Sequence, residues 1–425
     1  MVDAAARIVR NAARILGAVS LVFIPASLLA ASPAGPVQWV TAWMTALQAI
    51  PESPSPSPLY HAPLVAGRTV REIVVPTLDG SSIALHVSNR FSGLPLTIRA
   101  LRIAPAQASA RLAGPGSAVT FAGEASVTLG PGAEATSDPV AFAVKARTPY
   151  AVSVAVGDAQ KVAAWHRVAN ETIYISTVGD HSTETGNESF TGRSTHLLWV
   201  TGLDVQRTHQ GAIVALGDSI TDGMGARFGS DGSWPSQLAA LLAQQPGLAP
   251  GILNAGISGN RLLSDSACYG ERLIARFARD IEPLHGVGSV IVLIGINDIN
   301  FAAVPARRPL DCDAPHRVVD EAMLEEGLGT LIEQAHRRGL RIYLATLTPA
   351  DLPTAREALR VQLNRWIRSN TQSDGFVDFD AALSDPAAPS RLRAQFDSGD
   401  RIHPNNEGYA ALAKAALASA LVNAN

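Results

Sequence analysis

Gly211-Ala212-Ile213-Val214-Ala215-Leu216-Gly217-Asp218-Ser219-Ile220-Thr221-Asp222-Gly223 decides the fold of the second half of the chain. It is a continuous apolar run of strand length that ends in a polar loop. An apolar run with no polar alternation suits a strand covered on both faces. Similar runs recur at 252–254, 290–294, 341–347 and 376–379, and amphipathic helical stretches lie between and after them at 234–245, 271–281, 319–338, 354–370 and 406–422. Strands alternating with helices predict a parallel, doubly wound sheet of five strands with helices on both faces.

Upstream of that segment the period changes. Residues 69–200 read as short strands with alternating faces, as in Thr69-Val70-Arg71-Glu72-Ile73-Val74-Val75 and Ser82-Ile83-Ala84-Leu85-His86-Val87-Ser88. Asp79-Gly80, Pro115-Gly116 and Gly130-Pro131-Gly132 punctuate them, which predicts an all-β sandwich. The boundary is expected near His209-Gln210, giving a β-sandwich accessory domain over 35–209 and an α/β domain over 210–425.

Residues 1–34 read as a signal peptide. Arg7, Arg10 and Arg14 precede an apolar run over 15–31, and small residues follow at Ala30-Ala31-Ser32-Pro33-Ala34. The run is short for a span of ~20 residues and Pro25 interrupts it, so cleavage near Ala31 or Ala34 is expected rather than a retained anchor. The expected location is secreted or periplasmic, with no stable membrane insertion after cleavage.

Composition narrows the function classes. The chain of 425 residues is 47% hydrophobic and 17% charged, a folded globular balance, and its length implies more than one domain. Net charge is −3 and the only lysines are Lys145, Lys161 and Lys414. No basic stripe exists to neutralise a phosphate backbone, which argues against a nucleic-acid partner. The two cysteines, Cys268 and Cys312, are too few for a zinc cluster or a disulfide framework. They lie on loops of the same rim, and export permits oxidation, so a single bridge between them is expected. Closing that loop is worth ~4 kcal/mol in the chain-entropy treatment.

In a doubly wound sheet, ligands bind outside the carboxyl ends of the strands. Ser219 follows the first strand, Gly259 the second and Asn297 the third, while Asp400 and His403 lie beyond the fifth. A serine hydroxyl is a poor nucleophile until a base takes its proton, and Asp400-Arg401-Ile402-His403-Pro404 supplies an imidazole with a carboxylate three residues away. Pro404 suits the first position of the last helix, which would leave His403 extended at a helix entrance. An acyl-transfer site also needs donors aimed at a developing oxyanion, and the Ser219 N–H, the Gly259 N–H and the Asn297 side-chain amide qualify. Asp397 competes with Asp400 but lies six residues from His403. Asp218, Asp222 and Asp298 read as loop braces. The other histidines, including His181, His196, His285 and His316, show no HxH or HExxH spacing, so neither a metal nor any other cofactor is expected.

Gly217-Asp218-Ser219-Ile220, Gly259, Gly295-Ile296-Asn297-Asp298 and Asp400-Arg401-Ile402-His403 resemble, in order, the four blocks of the SGNH (GDSL-type) hydrolases. The resemblance covers 211–425. It implies a flavodoxin-like three-layer α/β/α fold, with Ser219 as nucleophile, Gly259 and Asn297 with the Ser219 N–H as oxyanion donors, His403 as base and Asp400 as its partner. Isoleucine at 220 replaces the leucine of the family's name, away from the reacting atoms.

The expected function is a secreted serine esterase acting on carboxylic esters of a small molecule or a polysaccharide. The favoured substrate carries a short acyl group, including acetyl on a polysaccharide. The alternatives are a lipase or arylesterase on lipid or aryl esters, or a catalytically silent carbohydrate-binding protein. Trp39, Trp43, Trp165 and Trp199 are the candidates for a sugar-stacking platform, with core packing as the plainer role for such large aromatics.

Overall fold

The computed structural model describes residues 37–52, 60–208, 211–245 and 249–419. The expected signal segment 1–34 and the expected boundary at His209-Gln210 lie outside the described residues. Those that are described belong to one compact unit.

The β-rich part contains β1 (Gln38–Met44), β2 (Gln48–Ala49), β3 (Arg68–Val74), β4 (Ile83–Ser88), β5 (Leu96–Pro105), β6 (Ser117–Val119), β7 (Val127–Leu129), β8 (Glu134–Thr136), β9 (Tyr150–Val156), β10 (Ala164–Trp165), β11 (Ile173–Val178), β12 (Gly192–Ser194) and β13 (Val200–Arg207). They form two main antiparallel sheets, one in the order β1-β13-β4-β8 and one in the order β12-β11-β3-β9-β5-β6, with β7 also paired to β5 and a small β10-β2 pair apart. Residues 140–144 make only isolated bridges, Ile83 to Val140 and Gly80 to Val144. Trp165 and Trp199 are buried in the core, so the stacking platform loses half of its candidates.

The α/β part follows with β14 (Ala212–Gly217), α1 (Ser219–Asp222), α2 (Trp234–Leu242), β15 (Gly251–Gly256), α3 (Leu273–Ile281), β16 (Val287–Leu293), α4 (Ile296–Phe301), α5 (Glu321–His336), β17 (Arg341–Ala345), α6 (Thr354–Ser369), β18 (Gly375–Val377) and α7 (Phe379–Leu383). A small hairpin of β19 (Ser384–Asp385) and β20 (Ala388–Leu392) leads to α8 (Asn406–Ala418). The sheet is parallel throughout, in the order β15-β14-β16-β17-β18, so it has the flavodoxin-like arrangement. Every residue of β14 is buried, as its uninterrupted apolar sequence requires. The chain reverses direction across the sheet between β14 and β16, which opens a crevice at their carboxyl ends.

Side-chain caps open several of the helices, though not α3, α4 or α6. Asp218 accepts from Ile220 N–H at the head of α1, and Asp320 accepts from Met323 N–H at the head of α5. The last helix begins later than Pro404. Asn405 is its N-cap, accepting from the N–H groups of Glu407 and Gly408 at 3.0 Å each. A side chain able to satisfy two orphan donors outranks the preference of proline for a first helical position, and Pro404 instead bridges to Asp397.

The two parts share one apolar core and a seam of hydrogen bonds. Thr41 N–H donates to His285 O at 3.0 Å, His285 N–H donates back to Thr41 Oγ1 at 2.9 Å, and Ile252 N–H donates to Thr77 Oγ1 at 3.1 Å.

Candidate active site

Ser219 stands at the first turn of α1, directly beyond the carboxyl end of β14, and Asn297 stands at the same place on α4 beyond β16. The crevice between those strands is thus flanked by a hydroxyl on one side and an amide on the other. Ser219 Oγ lies 2.8 Å from His403 Nε2, and His403 Nδ1 lies 2.5 Å from Asp400 Oδ2. The other Asp400 oxygen accepts the backbone N–H groups of Ile402 at 2.9 Å and His403 at 2.8 Å. Burial works to raise the Asp400 carboxyl, but the His403 ring and these two N–H donors outweigh it and hold it well below the usual carboxylate range. A fixed anion on Nδ1 selects the tautomer that leaves Nε2 facing the serine. Asp397 is elsewhere, accepting the N–H groups of Gly399 and Arg401 within its own turn.

The loop after β15 brings the second donor. Gly259 has φ +83°, and a Cβ there would land in the Tyr269 ring, so only glycine lets the turn pack this closely. Asn297 Nδ2 donates to Asn260 O at 3.0 Å, which fixes the amide plane and leaves its second N–H unused. Among the described residues, the Ser219 and Gly259 N–H groups find no protein acceptor. The arrangement offers a nucleophile, a proton acceptor and three donors for a developing oxyanion. A second close approach fixes the base, since a Cβ on Gly225 (φ +90°) would come within 3.0 Å of His403 Cβ.

Three aspartates organise these loops, Asp218 and Asp298 buried and Asp222 partly buried. Asp298 accepts the N–H groups of Leu262 and Leu263 at 2.8 and 2.9 Å, and burial pushes it up to about 6. Asp218 caps α1, and burial, only partly opposed by the Ile220 N–H, pushes it up to about 7. Asp222 accepts from Ser258 N–H and Ser258 Oγ at 3.0 and 2.5 Å.

Several supporting residues gave no sequence signal. Arg276 on α3 is fully buried and donates to Gly217 O at 2.9 Å, Ala255 O at 3.0 Å, Asn260 Oδ1 at 3.0 Å and Asp280 Oδ2 at 2.5 Å, tying two strand ends to the Gly259 loop. An arginine at a helical position reads as solvent-facing until the strand ends it reaches are known. Tyr409 on α8 donates to Met224 O at 2.5 Å and holds the loop beside His403. Away from the site, His86 Nε2 and His285 Nδ1 each lie 2.7 Å from the same oxygen, Asp204 Oδ2, and Thr41 donates to the other oxygen at 2.6 Å. Ligands about 2.0 Å from a tetrahedral zinc stand roughly 3.3 Å apart, so this triad has the spacing of hydrogen bonds. Cys268 and Cys312 are bonded, with Cα atoms 5.1 Å apart, on the rim that carries Gly259 and Asn297.

Residues 215–411 match the GDSL-like Lipase/Acylhydrolase family. A GDSL-like domain thus occupies residues 215–411, just under half of the chain. No curated protein matches the chain. Similar solved structures include a protein described as lipolytic and of the G-D-S-L family from Desulfitobacterium hafniense (20% identity over 48% of this chain and 97% of that one, TM-score 0.36). They also include a catalytic mutant of an acetylxylan esterase from Geobacillus stearothermophilus (26% identity, 48% and 92%, TM-score 0.37). A third is an alpha/beta hydrolase from the metagenome of Lake Arreo, Spain (26% identity, 49% and 94%, TM-score 0.37). Among the described residues no helix is long and apolar enough to cross a membrane.

Proposed function

We propose that the protein is a serine esterase that cleaves carboxylic esters through an acyl-enzyme. The observation that carries this reading is the unbroken chain from Ser219 Oγ through the His403 ring to Asp400, with contacts of 2.8 and 2.5 Å. Ser219 attacks the ester carbonyl while His403 Nε2 takes its proton. The oxyanion accepts from the Ser219 and Gly259 N–H groups and the Asn297 amide, His403 protonates the departing alcohol, and water repeats the sequence on the acyl group. Asp400 remains ionised and orients the imidazole.

The favoured substrate carries a short acyl group, with acetyl on a polysaccharide as the leading case. Export through residues 1–34 belongs to the same reading, because a polymer substrate would be met outside the cytoplasm.

Initial rates on p-nitrophenyl acetate, butyrate and octanoate, with Ser219→Ala as control, test the proposal. The acetate is expected to be fastest and S219A inactive at an unchanged melting temperature. Octanoate as the best substrate would move the protein to the lipase alternative, and activity retained in S219A would remove the serine mechanism.

A further inference from the structure

We infer that His166, a residue of the β-rich part, is a positioning residue of the esterase site, acting through Asp222 to hold the Ser258-Gly259 turn that presents an oxyanion donor. The inference rests on the reading of Ser219 and Gly259 given above. His166 directly follows β10, and its backbone is pinned in both directions to Leu197, with N–H to O distances of 2.8 and 3.1 Å. Its ring is buried against the α/β part. Nδ1 lies 3.0 Å from Ala46 O, while Nε2 lies 3.0 Å from Asp222 Oδ1 and 3.2 Å from Val168 O. A carbonyl oxygen only accepts, so Nδ1 must carry a proton, and a carboxylate facing Nε2 makes that nitrogen a donor as well. The environment thus selects the imidazolium. Burial alone would depress the ring, but the Asp222 charge and the hydrogen bonds to Asp222, Ala46 and Val168 outweigh it and raise it above the ordinary value.

Asp222 divides its oxygens between two tasks. Oδ1 accepts from His166, and Oδ2 accepts both donors of Ser258, the N–H at 3.0 Å and the hydroxyl at 2.5 Å. Asp222 is also the last residue of α1, whose first residue is Ser219. The direction of the Gly259 N–H is set by the plane of the Ser258–Gly259 peptide. With Ser258 held by Asp222 on one side and the Gly259 turn backed by the Tyr269 ring on the other, that plane is fixed relative to the nucleophile. An unpaired Asp222 carboxylate would seek other donors and release the turn. The β-rich part therefore completes the oxyanion hole, a role distinct from binding a polymer.

The seam has room for the test variants. His166 and Asp222 share the lining of a cavity of about 130 Å³ with Asn170, Ser233 and Asn254, so water can reach the carboxylate when the imidazole is removed. His166→Ala removes both donors, whereas His166→Gln keeps an amide N–H near the place of Nε2. The expected result on p-nitrophenyl acetate is a roughly 10–100-fold fall in kcat for H166A with KM within about twofold, the size of effect that a misplaced reacting group produces. H166Q is expected to recover most of the loss, and inhibition by a boronic acid, which forms a tetrahedral adduct on the serine, is expected to weaken in parallel with kcat in H166A. A merely structural residue would lower the melting temperature while leaving kcat and boronate affinity alone at 25 °C, and that outcome overturns the inference. If H166A does not fold, Asp222→Asn carries the same comparison, and wild-type kcat in D222N overturns it equally. Active wild type, inactive S219A and fully active H166A would sink this inference alone. Inactive wild type or active S219A would sink the esterase reading beneath it.

Discussion

Replacing Asn297 with alanine separates chemistry from stability. Among the described residues the side chain makes one hydrogen bond to protein, from Nδ2 to Asn260 O at 3.0 Å, and in the proposed mechanism its second N–H meets the oxyanion. Losing one of three oxyanion donors costs about 2.7–4 kcal/mol in the transition state, or roughly 10²–10³ in kcat. Losing the bond to Asn260 O costs only about 1 kcal/mol of folding stability. The two losses appear in different assays: steady-state kcat and KM on p-nitrophenyl acetate for the first, urea unfolding for the second. Asn297→Ala should therefore be a folded protein with a small shift in midpoint, KM within about threefold of wild type and kcat lowered by roughly two to three orders of magnitude. A fall in kcat smaller than about tenfold in a folded variant refutes Asn297 as an oxyanion donor. A large rise in KM at constant kcat would instead mean that the amide binds the ground state.

Other perturbations reach the scaffold. Glu72 is fully buried, and burial pushes it up to about 7 against the pull of the backbone N–H groups of Trp199 and Leu198. The folded state then holds a proton that the unfolded chain releases near 4.5, so this group's contribution is favourable at low pH and declines as pH rises to about 7. Glu72→Gln, whose single amide oxygen can keep one of the two N–H bonds that Leu198 and Trp199 make to separate Glu72 oxygens, should gain relative stability between pH 4.5 and 7 by about 3 kcal/mol at 1.36 kcal/mol per unit. A wild-type minus variant difference that is flat with pH contradicts this. Gly259→Ala forces a Cβ into the Tyr269 ring at φ +83°. It should cost about 1–3 kcal/mol of stability and most of the activity, and a fully active G259A would show that the turn does not need its present path. Cys268→Ser with Cys312→Ser opens a loop with a sequence separation of 44 and should lower unfolding free energy by about 3–4 kcal/mol. An unchanged urea midpoint would deny the bridge a stabilising role.

The parallel sheet was legible because each of its strands is a short apolar run closed by a glycine or a polar loop. Residues 213–216 and 252–254 fall inside β14 and β15, and the helical stretch 354–370 coincides with α6 to one residue. The β-rich part was readable as a class but not as a pairing. The strands β1 and β13 pair across more than 150 residues, and periodicity carries no information about such distant partners. The candidate triad was legible because Asp400 and His403 are local in sequence and Ser219 ends a strand. Arg276, His166 and the His86–Asp204–His285 triad were not. Each acts by reaching a carbonyl or carboxylate from a distant segment, and nothing in the local spacing of one arginine or one histidine encodes that reach. The late start of α8 came down to Asn405, whose side chain can satisfy two N–H groups where Pro404 can satisfy none.

The central claim is that Ser219 becomes covalently acylated during turnover. Rapid acid quench of the full chain during hydrolysis of p-nitrophenyl acetate, followed by peptide mass mapping, reads this directly. One acetyl group is expected on the peptide that contains Ser219, accumulating in wild type and absent from S219A. Turnover at the wild-type rate with no acetylated intermediate, or acetyl carried by a different residue on the competent time scale, would contradict it.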